Sequence, residues 1–83
     1  MSIDAAREVK SMISKMTGVE EESITEDSIL FDIAGVDSLK LIEFATHMEV
    51  VYKAAPTEKQ MRGLITVKDL IELLQKLTAK KKS

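Results

Sequence analysis

The chain has 83 residues, no cysteine, one histidine and a formal net charge of -2, with 45% apolar and 31% charged residues. That is enough for one small globular domain with a modest core, and it excludes disulfides, thiolate catalysis and cysteine-based zinc sites. No apolar run approaches the ~20 residues of a membrane span, and no basic-then-apolar secretion signal opens the chain, so a cytoplasmic protein is expected.

The charge is unevenly placed. Residues 1–38 carry nine acids against three bases, and residues 39–83 carry nine bases against five acids. The aromatics are only Phe31, Phe44 and Tyr52, and no basic face interleaves with them. Nucleic acid is therefore not an expected partner.

The first predicted helix covers residues 3–16, with apolar Ile3, Ala6, Val9, Met12, Ile13 and Met16 at helical spacing. Ser2 can cap it, Asp4 falls in the first turn where a negative charge suits the helix dipole, and Gly18 is a plausible stop. Residues 19–37 form a long first loop. Its polar half, "EEESITED", precedes "SILFDIAGV". Ile24, Ile29, Leu30, Phe31 and Ile33 are too apolar for free solvent, so this loop is expected to cross the domain and join the core, with a short helical turn near residues 28–33. Long, part-apolar connections in small domains are often functional.

The second helix is predicted over residues 38–52. One apolar stripe is Leu41, Phe44 or Ala45, Met48 and Val51 or Tyr52, and a second is Leu39, Ile42 and Thr46. Pro56 ends any helix before it. Thr57 and Gln60 match a capping box for a short third helix that Gly63 ends. The last helix starts at Thr66, with Asp69 three residues on, and buries Val67, Leu70, Ile71, Leu74 and Leu77. Nothing alternates at period two, so no sheet is expected. The predicted fold is all-α: a small four-helix bundle, three main helices plus one short one, in a single domain spanning 1–83 with 79–83 as a disordered basic tail.

No pair of carboxylates marks an acid/base couple, no glycine-rich loop cradles a phosphate, and no cluster suggests a metal site. The one hydroxyl in an unusual context is Ser38, in "GVDSLKLIEF" (residues 35–44). His47 lies nine residues along the same predicted helix, about 13 Å at 1.5 Å per residue, too far to act as its base. Asp-Ser before an apolar run usually means helix capping, by Asp37 or by Ser38. A helix start also exposes unpaired N–H groups and the positive end of the dipole, which tolerate a phosphoester.

"GVDSLKLIEF" resembles the attachment motif of acyl carrier proteins, Gly-x-Asp-Ser-Leu followed by an apolar helix carrying a glutamate. The resemblance extends over nearly the whole chain, from "GVEEESITEDSIL" to "HMEVVYKAAPTEKQMRGLITVKDLIELL". It implies that Ser38 carries 4′-phosphopantetheine, transferred from coenzyme A by a phosphopantetheinyl transferase with Mg²⁺, and that Asp37 and Leu39 flank the attachment point. The working thiol then comes from the prosthetic group, and the chain is a carrier rather than an enzyme. Acyl-transferring and chain-processing enzymes are the implied partners of a monomeric carrier. Lys40, Ile42, Glu43, Thr46, Glu49, Val50 and Arg62 are candidates for their recognition. Ala45, Met48 and Met61 are candidates for lining a gap that admits part of an acyl chain.

The chain departs from the family pattern in places. Ala34 stands where leucine usually precedes the motif glycine, with Ile33 as its possible substitute in the core. Lys40, Val50 and Val51 stand in a helix that is strongly acidic in typical fatty-acid carriers. A specialised acyl or polyketide pathway is thereby an alternative to general fatty-acid synthesis. Two rival classes remain open on the residues: an aminoacyl or peptidyl carrier, disfavoured by "AGVDS" in place of paired glycines, and an unmodified helical interaction module.

Overall fold

The computed structural model describes residues 4–79. Among these residues four α-helices follow one another: α1 (Ala5–Thr17), α2 (Ser38–Tyr52), α3 (Glu58–Arg62) and α4 (Val67–Ala79). Two short 3₁₀ turns, Glu21–Ser23 and Leu30–Asp32, lie in the first loop. Among the described residues there is no strand, only an isolated antiparallel bridge between Ile29 and Thr66. The all-α bundle is the fold expected from the periodicity.

Asp4, not Ser2, caps α1. Its extended backbone lets the carboxylate accept the Arg7 N–H at 3.2 Å, so Asp4 stands just outside the helix rather than in its first turn. Ser2 and Ile3 lie outside the described residues. The helix stops at Gly18, whose φ of 83° is the left-handed geometry that glycine adopts without a Cβ penalty. Ala5, Val9, Met12 and Ile13 are buried.

The first loop is tied to the start of α4 by backbone hydrogen bonds. Leu30 N–H donates to Ile65 O (2.8 Å), Val67 N–H to Ser28 O (2.9 Å) and Lys68 N–H to Glu26 O (3.0 Å). Ile24 and Leu30 are buried and Ile33 packs against the core. The expectation that all five apolar loop residues are core is corrected at Ile29 and Phe31, both exposed. The pinned 3₁₀ turn sends Leu30 inward, and its neighbours cannot follow.

In α2 the stripe Leu41, Phe44 and Met48 is buried, while Ala45 and Tyr52 pack at its margin. Val51 is exposed, and so is the second stripe of Leu39, Ile42 and Thr46. That second stripe is surface, not extra core. The helix ends well before Pro56, at Lys53, which takes a left-handed φ of 57°, and Ala54 N–H donates back to Met48 O (3.2 Å). The capping box of Thr57 and Gln60 opens α3. Helix α4 buries Val67, Leu70, Ile71 and Leu74, and also Leu73; Leu77 is half-buried. It runs to Ala79, so the expected tail cannot begin there; residues 80–83 lie outside the described residues.

Helix α1 packs along α4 more extensively than α2 packs along α3. The largest fully buried side chains come from α1, α2, α4 and the loop residue Leu30, so α3 is the peripheral helix.

Candidate functional site

The chain enters α2 through a tight turn. Val36 N–H donates to Ile33 O (3.0 Å), and Gly35, third in this turn, has φ of 88°. Third place is where a type II turn needs a left-handed residue, hence glycine. A Cβ there would meet Thr17 at the end of α1 in ordinary contact, 3.4 Å from its Cβ, so it is the positive φ that calls for glycine. Val36 is buried and Ile33 packs against the core, while Ala34 is exposed. The turn is thus anchored on both sides of its glycine.

Asp37 follows in extended conformation and is the N-cap of α2. Its Oδ1 accepts the Lys40 N–H at 2.8 Å, and its carbonyl accepts the Leu41 N–H at 3.0 Å. This decides between the two capping candidates: Asp37 caps, and Ser38 is the first helical residue, exposed at the tip of a rigid element. The Ser38 hydroxyl is not needed to hold the helix start.

Beside Ser38 lies an open cleft of about 570 Å³ between α2 and α3. From α2 it is lined by Ser38, Leu41, Ile42, Ala45, Thr46 and Glu49, and from α3 by Glu58, Met61 and Arg62. Phe31 of the first loop and Pro56 complete it. Ala45 and Met61 therefore stand in one cavity, as proposed for an acyl pocket. Met48 does not: it is fully buried, because it continues the Leu41–Phe44 stripe into the core. Phe31, Leu41, Pro56 and Glu58 were not foreseen as lining residues. Phe31 in particular reads as core by its apolarity, and only its place beside the inward Leu30 tells otherwise.

The candidate recognition residues divide. Ile42, Thr46, Glu49 and Arg62 line the cleft. Lys40 Nζ pairs with Glu43 Oε1 at 2.9 Å, and Arg62 pairs with Glu58 at 2.7 Å, so much of the local charge is compensated within each helix. Leu39 and Val50 are exposed outside the cleft. At the far end of α2 the Tyr52 hydroxyl donates to the Glu8 carboxylate of α1. Burial, then that hydrogen bond and the Glu8 charge, push Tyr52 up to about 12. The His47 ring meets Tyr52 edge-on at 6.2 Å between centroids, so it belongs to this end of the helix and not to Ser38.

A family model described as a phosphopantetheine attachment site matches residues 7–74. The chain belongs to this family, the acyl carrier proteins. It is 32% identical to an acyl carrier protein of Rhodococcus erythropolis over 72 residues, 87% of this chain and 79% of that one. It is also 32% identical to an acyl carrier protein of Thermotoga maritima, over 82% of this chain and 84% of that one. A meromycolate extension acyl carrier protein of Mycobacterium leprae matches at 32% over 83% of this chain and 60% of its own length. The function is accordingly that of an acyl carrier, in preference to an aminoacyl carrier or an unmodified module, and the family's cofactor is 4′-phosphopantetheine. Members of the family are carriers rather than catalysts. Among the described residues no helix is long and apolar enough to cross a membrane.

Proposed function

We propose that Ser38 is the attachment residue of this carrier and that the α2–α3 cleft receives part of the acyl chain. The observation that carries the proposal is the division of labour at the helix start: Asp37 caps, and the exposed Ser38 hydroxyl is left free for a phosphoester. The residues fit the prosthetic group. An exposed hydroxyl has the positive end of α2 behind it to face a phosphate, and a partly apolar cavity beside it. When attached, the group supplies the thiol that holds acyl groups as thioesters.

The chain's own residues then have separate tasks. Ser38 Oγ carries the ester, and Asp37 holds the helix start in place. Leu39 is exposed beside the attachment point, where a phosphopantetheinyl transferase can reach it. Leu41, Ile42, Ala45 and Met61 offer the cleft's apolar wall. Lys40, Ile42, Glu43, Thr46, Glu49, Val50 and Arg62 form the face that acyl-transferring and chain-processing enzymes read. The protein works in the cytoplasm as a substrate of those enzymes and performs no reaction of its own. Its α2 is close to neutral, with Lys40 against Glu43 and only Glu49 beyond them. That supports a dedicated acyl or polyketide pathway over general fatty-acid synthesis.

The test is an intact mass after incubation with coenzyme A, Mg²⁺ and a broad-specificity transferase. One phosphopantetheine adduct is expected on the wild type and none on Ser38→Ala, with the variant's melting temperature almost unchanged because the side chain is exposed and caps nothing. An adduct on a different serine would overturn the assignment.

A further inference from the structure

We infer that Phe31 is a specificity-determining residue of this carrier, a fixed aromatic wall against which the acyl chain packs beside the attachment point. The inference rests on the reading of Ser38 and the cleft just given.

Phe31 is 51% exposed, and it is the one residue of the first loop that lines the cleft. The other lining residues come from α2, from α3 and, in Pro56, from the connection between them. The ring therefore closes a side that neither helix covers, and it shares the cavity with Ser38, Leu41 and Ile42.

The ring is held there by its backbone. Leu30, one residue before it, is fully buried and donates its N–H to Ile65 O at 2.8 Å. Asp32, one residue after, donates to Ile29 O at 2.9 Å, and Ile33 N–H donates to Leu30 O at 3.1 Å. The bridge between Ile29 and Thr66 fastens the same turn to the start of α4. Phe31 thus cannot turn into the core without breaking contacts on both sides.

A half-exposed phenyl ring leaves apolar surface in water, at about 25 cal/mol per Å². An alkyl chain entering the cleft would cover that surface. A small or absent chain would not. The contact therefore discriminates by chain length, and it does so through a residue that contributes little to the core of the unloaded protein. Ligand cavities of this size are commonly lined by a few apolar walls of fixed position.

The experiment compares wild type, Phe31→Ala and Phe31→Leu, each in the pantetheinylated form and loaded with acetyl or octanoyl thioester. Two quantities are read: the melting temperature relative to the unacylated form, and the rate of thioester cleavage by hydroxylamine. In the wild type, octanoyl but not acetyl should raise the melting temperature and slow cleavage, by roughly tenfold if about 1.4 kcal/mol of contact is lost on opening. Phe31→Ala should lose most of both effects while its unacylated form melts close to the wild type, and Phe31→Leu should keep an intermediate share. An octanoyl effect of equal size in wild type and Phe31→Ala would overturn the role of Phe31 while leaving the cleft standing. No octanoyl effect in any protein would reject the cleft as the chain's site and Phe31 with it. Failure to load Ser38 at all would instead refute the attachment reading.

Discussion

Helices α2 and α4 each have an acidic residue at their start that accepts backbone N–H, Asp37 as the N-cap of α2 and Asp69 in the first turn of α4, yet the two starts differ. At α4, Asp69 Oδ2 accepts from Ile65 (2.9 Å) and Thr66 (3.0 Å), and Thr66 Oγ1 accepts from Asp69 N–H (3.2 Å). The next two donors, on Val67 and Lys68, go to carbonyls of the first loop. Every early N–H of that helix is used to hold the chain together. At α2, Asp37 accepts from Lys40, and among the described residues no acceptor meets the N–H of Ser38 or Leu39. An N-terminus leaves unpaired donors unless something satisfies them. In α4 the fold consumes them, and in α2 it leaves them without a partner from the fold. The start of α4 is closed by the fold, and the start of α2 is open.

The largest expected effect comes from breaking the closed start. Asp69→Ala removes the acceptor of two N–H groups and loosens the junction of α4 with the loop. The melting temperature should fall by several degrees, more than for any cap substitution at α2. The same residue predicts an acid limb. Backbone hydrogen bonds from Thr66, then from Ile65, hold the Asp69 carboxyl below its ordinary value of 3.8. A depressed folded value means the ionised form is favoured in the folded state. Its stabilisation is present above about pH 3.8 and is lost as pH falls through the lower folded value. In Asp69→Asn, which keeps an acceptor oxygen but no charge, stability below pH 4 should depend less on pH than in the wild type. Circular dichroism along an acid titration reads this, and parallel acid limbs would show that Asp69 contributes nothing there.

Next in size is the cap of the open start. Asp37→Ala should destabilise by about 1 kcal/mol, the usual worth of an N-cap side chain, which is a drop of about 4–8 °C in a domain of this size. Ser38→Ala should leave the melting temperature nearly where it was. The reverse ranking in a thermal melt would mean that Ser38 is the cap and that its hydroxyl is not free.

The smallest effect concerns charge beside the open start. Lys40 should repel enzymes built for an acidic α2, but Glu43 already neutralises much of it at 2.9 Å. Replacing Lys40 and Val50 together by glutamate should raise the catalytic efficiency of a fatty-acid malonyl transferase on this carrier by a few-fold at low salt. The gain should shrink at high salt, because the screening length falls from ~10 Å at 0.1 M to ~3 Å at 1 M. Equal efficiencies for the two carriers at low salt would remove charge from the account of partner choice.

Much of this was readable from residue spacing. The stripes Val9–Met12–Ile13, Leu41–Phe44–Met48 and Leu70–Ile71–Leu74 recur at helical period, and each buries where expected. The box of Thr57 and Gln60 and the stop at Gly18 were also legible, because local chemistry alone produces them. What spacing could not supply was the choice among equivalents. Ser2 and Asp4 can both cap a first helix, as Asp37 and Ser38 can both cap a second. Met48 and Ala45 are both apolar residues of one helix, yet only Ala45 reaches the cleft. Nothing local marks Lys53 for a left-handed stop.

The sequence by itself determined the helices, their order and the family motif, because periodicity, caps and turn residues act within a few positions of one another. Only the tertiary structure decided which apolar residues stay in water. Leu30 is buried and Phe31 half-exposed because loop backbone groups pair with the start of α4, more than thirty residues away in the chain. Such pairing depends on how distant segments meet, and apolarity alone is the same on both sides of it.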